Sequence, residues 1–542
     1  MTKHGLRSLS AALGALGLLA CGSEGREDPT QATSMTGVTA ADLPGDATGD
    51  TGGEDVMEAE KFDLSAGGTG NGGDGLPTGT CEAAAMAESN QGCEFWAVDL
   101  PNAWSGSNGS PAPENQQFAV AVANTASDVP ANVSVFVGNG ANPVDTASVQ
   151  IGQIHEFRLP ALNQAARENT YDGQAYRIES DVPITAYQFN PLDNTVQVFS
   201  NDASLLFPTH VLETDYTAIT GDSLMLASDV DPTGANSGAF VSVVATEDGT
   251  TVDLFATWGL YPGATSGVTL DRGQVFTAVS VGTNPGTAGD GNLSGSRIAS
   301  DKPVAVFSGN VATIEPNPGQ CCADHMEQQM LPLVAWGDSY AAAPPPGPTG
   351  GPNPAGYRIT GSFDGTPLSY SPAPPAGAPT TINAGQTVRF QTNLAFTVTS
   401  GDETKPFAIT QFLLSNQVIS AFGQPGDPAM ISLPAVAQFQ TNYVFLVPQG
   451  YQVNYVTVVR QAGTEVSRDG VSVAAANWMP LGTLGGVGYE YVSLEVPPGS
   501  HSIESAEPSG IISVGYDQDV SYGYPGGSGL KIISEPPPPP VG

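Results

Sequence analysis

From residue 118 onward the chain is written in short apolar runs broken by turns. Phe118-Ala119-Val120-Ala121-Val122, Phe240-Val241-Ser242-Val243 and Tyr455-Val456-Thr457-Val458 each read as a strand. Val133-Ser134-Val135-Phe136-Val137 and Val252-Asp253-Leu254-Phe255 suit a pleated, partly buried face. Gly, Asp, Asn and Pro separate the runs, and Glu247-Asp248-Gly249-Thr250 predicts a hairpin turn. Helical periodicity is nearly absent; Cys81 to Glu88 is the one short candidate.

Three elements recur in a fixed order. The first is a turn before a strand: Gly152-Gln153, Gly273-Gln274 and Gly385-Gln386, spaced 121 and 112 residues apart. The second reads Arg177-Ile178-Glu179-Ser180-Asp181-Val182-Pro183-Ile184, then Arg297-Ile298-Ala299-Ser300-Asp301-Lys302-Pro303-Val304. Weaker copies end in Pro406-Phe407 and Pro508. Pro just before a strand loses little, because its missing N–H lies outside the ladder. Ile184 to Phe189 and Val304 to Phe307 then read as core strands. The third element is a Pro followed by a Tyr: Pro208 to Tyr216, Pro332 to Tyr340, Pro434 to Tyr443. Ordered recurrence at similar spacing is the signature of repeated supersecondary units. The fold class expected is all-β, with tandem repeated β-sandwich-like modules after a disordered N-terminal linker. Propeller-like stacking of the same repeats stays open.

The ends differ from this body. Lys3, His4 and Arg7 precede an apolar stretch, Leu9 to Leu19, too short to span a bilayer as a helix. Leu18-Leu19-Ala20-Cys21 looks like a bacterial lipoprotein signal, which makes Cys21 the expected lipidation site. Residues 22–80 are rich in Gly, Thr, Asp and Glu and cannot bury a core, so disorder is expected there. A flexible chain of that length spans about 40 Å. Pro536 to Pro540 predict a stiff polyproline tail. The resulting division is a signal segment (1–20), a linker (21–80), β modules over 81–230, 231–345, 346–448 and 449–530, and a Pro-rich tail (531–542).

Charge narrows the partners. Lys and Arg number 16 against 54 Asp and Glu, a net charge of −38. Nucleic acid is excluded as a partner, because phosphate binding needs clustered cations. Unassisted docking on anionic lipid is excluded likewise, which leaves the lipid anchor as the membrane contact. Such charge attracts cations, so weak divalent binding is compatible with it. Asp229-Val230-Asp231 and Gly289-Asp290-Gly291-Asn292 offer oxygens of that kind, but both also read as ordinary turns.

With Cys21 reserved for lipid, Cys81, Cys93, Cys321 and Cys322 remain as disulfide candidates. Cys81–Cys93 is the favoured pairing. The alternative ties residues 81 and 93 to 321 and 322. Cys321-Cys322-Ala323-Asp324-His325 holds metal-ligand types, yet adjacent ligands seldom fit one tetrahedral site. No metal site and no cofactor is therefore assigned. His155, His210, His325 and His501 lie near no nucleophile turn, and no catalytic residue is assigned. Trp96, Trp104, Trp258, Trp336 and Trp478 are read as packing residues in preference to a carbohydrate platform.

The Gly-Gln turns, the Ser-Asp-x-Pro strands, Val122-Ala123-Asn124 and Gln328-Gln329-Met330-Leu331-Pro332 through Trp336-Gly337-Asp338-Ser339-Tyr340 carry a resemblance. So does the ending Gly515-Tyr516 through Ser521-Tyr522-Gly523-Tyr524-Pro525-Gly526-Gly527. Over residues 81–530 the chain resembles the IgGFc-binding protein N-terminal domain family. The resemblance implies an extracellular, all-β, non-enzymatic binding or adhesion module. The function expected is a surface-displayed lipoprotein that binds a protein or glycan, held in the cell envelope at the outer membrane or cell surface. The competing expectation is a structural envelope protein that packs with copies of itself or with neighbours.

Overall fold

The computed structural model describes residues 79–103, 112–125, 129–162, 168–192, 200–225, 236–316, 322–420 and 424–538. The leader, Cys21, the linker through residue 78, Trp104, Asp229, Asp231, Cys321, Pro539 and Pro540 lie outside the described residues.

After a short helix, α1 (Cys81–Met86), the first module is built from eight strands. They are β1 (Gly92–Ala97), β2 (Phe118–Asn124), β3 (Ala131–Val137), β4 (Asp145–Val149), β5 (Ile154–Leu159), β6 (Thr170–Gln174), β7 (Tyr176–Asn190) and β8 (Asp202–Leu205). The organising element is β7. Its first part, Tyr176–Ser180, pairs with β3 and β1; from Ile184 on it pairs with β2 and β8. Asp181, Val182 and Pro183 separate the two parts. Pro183 has no N–H for the ladder, and where the ladder is interrupted the Asp181 carboxylate accepts the Asn132 N–H at 2.8 Å. One strand thus serves two half-sheets. Phe118, Val120, Val135, Phe157, Ile178 and Ile184 from both halves meet in a shared core.

The second module repeats this plan. It comprises β9 (Glu213–Thr217), β10 (Leu224–Met225), β11 (Asn236–Ser237), β12 (Ala239–Ala245), β13 (Thr250–Phe255), β14 (Val268–Leu270), β15 (Gln274–Val279), β16 (Arg297–Thr313) and β17 (Asp324–Gln329). β16 pairs first with β13 and β9, then past Pro303 with β12 and β17. β6 from the first module adds itself to the β15 edge, which ties the two modules together.

The third module holds β18 (Ser339–Ala342), β19 (Ala355–Gly361), β20 (Thr366–Pro367), β21 (Ser369–Ser371), β22 (Thr381–Ile382), β23 (Thr387–Thr392), β24 (Phe396–Thr399), β25 (Phe407–Leu413), the short helix α2 (Asn416–Ile419) and β26 (Ala429–Ser432). Here the long strand is split, and β25 starts directly after Pro406. The fourth holds β27 (Gln440–Val447), β28 (Val453–Gln461), β29 (Val466–Arg468), β30 (Val471–Ser472), β31 (Met479–Leu484), β32 (Val487–Glu495), β33 (Gly499–Asp517) and β34 (Val520–Pro525). β33 again runs through its Pro508 and serves both halves.

All three recurring sequence elements have a structural job. Gly152, Gly273 and Gly385 adopt φ of +66°, +82° and +68°, where a Cβ is disfavoured. Each donates its N–H to the last carbonyl of the module's central strand: Asn124, Ala245 and Gly361. The Pro of the second element lies inside the long strand in β7, β16 and β33, where it marks a change of sheet; the expected position just ahead of a strand holds only for Pro406. The Tyr of the third element sits in the first strand of the next module. Tyr216 Oη accepts the Glu213 N–H at 2.9 Å and donates to the Val304 carbonyl at 2.8 Å. Tyr340 does the same with Gly337 and Phe407, and Tyr443 with Gln440 and Ser509. Each acceptor carbonyl belongs to the residue after the Pro. Phe95 takes this place in the first module, paired with Ile178 as Tyr216 is with Ile298.

The structural repeats therefore open at β1, β9, β18 and β27. The boundaries drawn from sequence at 231, 346 and 449 detach the first strand of each later module. The Pro-to-Tyr segment reads as the close of one repeat, whereas its Tyr anchors the next.

The modules close into a ring. The last strands pack side by side in cyclic order: β8 against β17, β17 against β26, β26 against β34, and β34 against β8. Sandwich-like modules and propeller-like stacking are thus combined. The chain ends complete the closure. Ser89 bridges Gly529, the Asn90 N–H reaches the Ser528 carbonyl at 3.1 Å, and the Leu530 N–H reaches Glu88 at 2.7 Å. Past that point the tail is docked, with the Ile533 and Ser534 N–H groups on the Val334 carbonyl.

Candidate functional site

The axis of the ring is polar. β17 reads Asp-His-Met-Glu-Gln-Gln, a composition typical of a surface strand, yet all six residues are buried. Burial of polar groups is tolerable only when they are hydrogen-bonded, and most of these groups are bonded across module boundaries. The Asp202 carboxylate accepts N–H groups from Ala203 at 2.8 Å, Glu327 at 3.1 Å and Met430 at 3.2 Å, and so joins β8, β17 and β26. Gln328 Nε2 donates to the Ala203 and Gly523 carbonyls, joining β17 to β8 and β34. Ser521 Oγ accepts the Asp427 N–H at 2.8 Å, joining β34 to the segment that leads into β26.

Four acids stand at or just ahead of the inner strands: Asp202, Asp324, Asp427 and Asp519. Burial pushes the proton affinity of Asp202, Asp324, Glu327 and Asp427 well above the ordinary carboxylate range. Asp202 adds to the effect on Asp324, and Asp324 and Asp519 add to it on Asp427. Burial also lowers His325, to about 3, so its imidazole is neutral at physiological pH. His325 Nε2 lies 3.3 Å from Glu327 Oε2, and its ring stacks on Phe240.

A second polar junction joins modules two and three. Arg389 grips Asp222 with two bonds of 2.8 and 2.9 Å. Arg358 reaches Glu315 and the Thr220 carbonyl, with its guanidinium 4.1 Å from the Phe412 ring centroid. Burial opposes the Asp222 charge, but the Arg389 bonds override it and hold this carboxyl below its usual range.

The residues singled out in the sequence are placed as follows. Cys81 is disulfide-bonded to Cys93, with an S–S distance of 2.04 Å. Cys322 is also disulfide-bonded, to a cysteine outside the described residues. Its neighbours Asp324 and His325 turn into the axis. The Asp290 carboxylate is occupied by Ser223, Thr283 and Asn284 donors, and Asn292 Nδ2 donates to Asp222. That turn therefore spends its oxygens and amides on its own loop and on the Asp222–Ser223 segment. Among the described residues, no three His, Cys, Asp or Glu side chains converge as a metal-binding group. His501 pairs with Asp469 at 2.9 Å. Trp96 and Trp336 are buried, Trp258 donates to the Val281 carbonyl, and Trp478 lies under Arg460.

Sequence reading missed the axis. It passed over Asp202, Asp427 and Asp519 because isolated polar residues look like turns or exposed faces, and it took Gln328 as a motif residue without an axial role. The usable signal was positional: an acid at or just before the closing strand of every repeat.

The comparisons with known proteins bear on this ring. The family model described as IgGFc binding protein matches residues 202–515, from the first axial aspartate into the last long strand. The chain belongs to this family. The human IgGFc-binding protein is 23% identical over 419 residues. That alignment takes in 75% of this chain but only 7% of the human protein's length. Among solved structures, an anti-sigma factor domain-containing protein from Clostridium clariflavum covers 75% of this chain and 99% of its own, at 8% identity and a TM-score of 0.10. A score that low carries no structural argument. The family assignment thus stands on sequence and covers modules two and three, module four as far as β33, and the inner strand of module one.

Proposed function

We propose that this chain is a lipid-anchored, surface-displayed binding protein whose partner is a protein or a glycan. The observation that carries the reading is membership in a family whose human relative is named for binding IgG Fc. Leu18-Leu19-Ala20-Cys21 supports the anchor, and the Gly/Thr-rich residues up to 78 support a tether between membrane and ring. Most axial polar groups hold the modules together and all are buried, so a protein or glycan partner meets the outer turns and edges. With the chain's charge, basic partners gain the most from long-range attraction.

The test has two arms. Metabolic labelling with an alkynyl fatty acid tags the wild-type protein in its own cells and leaves Cys21→Ser untagged; equal labelling removes the anchor. Biolayer interferometry of residues 22–542 against IgG Fc, matrix proteins, mucins and polysaccharides yields saturable binding at micromolar concentration or better. Absence of any such ligand, together with abundant homotypic crosslinks on intact cells, overturns binding in favour of a packing role.

A further inference from the structure

The axis holds acceptor oxygens that no donor satisfies. Asp324 Oδ2, both Asp427 carboxylate oxygens, Asn201 Oδ1 and Asn416 Oδ1 are buried and meet no donor in good hydrogen-bond geometry among the described residues; the Ser521 and Cys322 backbones only approach Asp324 and Asp427 closely enough to favour their charged forms. The four side chains belong to residues with at most 1% of their surface exposed. Elsewhere on the axis the unmatched polar atoms are nitrogens, His325 Nδ1 and Gln329 Nε2, whereas acceptor oxygens are matched, as the three donors on Asp202 show. An unmatched group of acceptors is therefore a departure that needs a positive partner.

These oxygens belong to one neighbourhood. Asp324 Oδ1 accepts the Asn201 N–H at 2.7 Å, which sets Asn201 beside Asp324. The Ser521 backbone acts on Asp324, and Ser521 Oγ takes the Asp427 N–H, which sets both acids against the start of β34. Ser415 Oγ bonds the Cys322 carbonyl at 3.0 Å, which brings the α2 start alongside the Asp324 segment. Asn416 Nδ2 donates to Asp519 Oδ1 and the Gln424 carbonyl. Both of those are acceptors, so the Asn416 amide cannot be turned over, and its carbonyl oxygen is the atom left unpaired. Asp324 and Asp427 also hold equivalent places in their modules. Counting back from Gln329 and Ser432, each paired four residues after the long-strand Pro, reaches both acids at the same step.

We propose that Asp324 and Asp427, completed by the side-chain carbonyls of Asn201 and Asn416, form a binding site for a divalent cation of the calcium class. All the donors are hard oxygens, two of them amide carbonyls, and the set is irregular. Calcium accepts such a set with six to eight ligands at flexible angles, whereas magnesium demands a near-ideal octahedron and zinc prefers nitrogen and sulfur. His325 is not a donor here, because it is turned toward Glu327 and Phe240. Asp202 is not one either, because backbone N–H groups occupy it. With two carboxylates, affinity is modest, and an exported protein meets millimolar calcium. The site joins segments of modules two and three with the strand lead-in of module one, and Asn416 and Asp427 bond Asp519 and Ser521 of module four, so an ion there fastens the ring at its centre.

The experiment uses the whole secreted chain, residues 22–542, stripped with chelator and held in 0.15 M KCl to quench binding on the acidic exterior. Calcium titrated by calorimetry binds one ion per chain and raises the thermal unfolding midpoint by several degrees, with magnesium at the same concentration giving less than half that shift. Terbium in place of calcium luminesces on excitation of tyrosine, because Tyr451 Oη lies 2.9 Å from Asn201 Nδ2. D324N and D427N each weaken calcium at least tenfold while leaving the calcium-free midpoint equal or higher. Should these variants fail to fold, Tyr451→Phe keeps calcium affinity and cuts terbium emission by more than half. No saturable binding at 1 mM calcium overturns the site and identifies the acids as permanently protonated. Undiminished binding in the folded aspartate variants, or undiminished emission in Tyr451→Phe, places the ion elsewhere and overturns it too.

Discussion

The Tyr216 hydroxyl holds the Val304 carbonyl at 2.8 Å, directly after the Pro303 that sends β16 from one half-sheet into the other. Without that bond the carbonyl at the crossing would be buried and unmatched. The same link recurs at Tyr340 and Phe407 and at Tyr443 and Ser509. Each of Tyr216→Phe, Tyr340→Phe and Tyr443→Phe should cost about 1–3 kcal/mol, because two buried backbone groups lose one shared partner. Urea unfolding followed by tyrosine fluorescence measures this. Phe95 supplies the control: Phe95→Tyr should bring no comparable gain, since that module has packed around a ring without a hydroxyl.

Asp202 separates charge from hydrogen bonding. Asp202→Ala orphans three buried N–H groups on three modules and should cost about 3 kcal/mol or more. Asp202→Asn keeps an acceptor oxygen and should cost less than half as much. Equal losses in the two variants would mean that the ionised carboxylate, not its geometry, matters. Limited proteolysis between modules gives an independent reading of ring opening.

Cys81 and Cys93 are 12 positions apart and close a small loop. Replacing both with Ser should lower stability by about 3 kcal/mol, mainly through a freer unfolded chain. The loss should be seen first as faster hydrogen exchange at Asn90, Ser528 and Leu530, whose bonds between Glu88–Asn90 and the C-terminal segment are nearest the staple.

Acid should loosen the junction between modules two and three. The folded Asp222 carboxyl titrates below its usual range, where Arg389 overcomes the effect of burial. Its contribution is therefore complete above the ordinary carboxylate pKa and fades as pH falls through the folded value. Thermal midpoints should fall from pH 5 to pH 3 in the wild type, and Asp222→Asn should start lower at pH 5 and fall less over the same range.

Much of a module was legible from sequence because each of its devices is local. A Gly-Gln turn needs positive φ at one residue, and a Ser-Asp-x-Pro segment needs a missing N–H at one position; both leave fixed marks. Strand existence followed from alternation at Val133 to Val137 and Val252 to Phe255. The ring was not legible, because it depends on contacts such as Gln328 to Gly523 that join residues far apart in sequence. The axial site was only half visible for the same reason: the Cys321-to-His325 cluster contains Asp324, but nothing local joins it to Asp427, a loop residue until the modules bring their ends together. Module limits failed where Tyr216, Tyr340 and Tyr443 were assigned to the repeat behind them and not to the one ahead.

A pull arriving from the N-terminal side enters the ring at Cys81. The covalent bridge passes that load straight to Cys93 in β1 and bypasses the residues between them. Ser89 and Asn90, which latch onto Ser528 and Gly529, are therefore off the line of tension. A drag that would otherwise peel the latch open one hydrogen bond at a time is instead spread along β1 as shear against the whole of its ladder with β7.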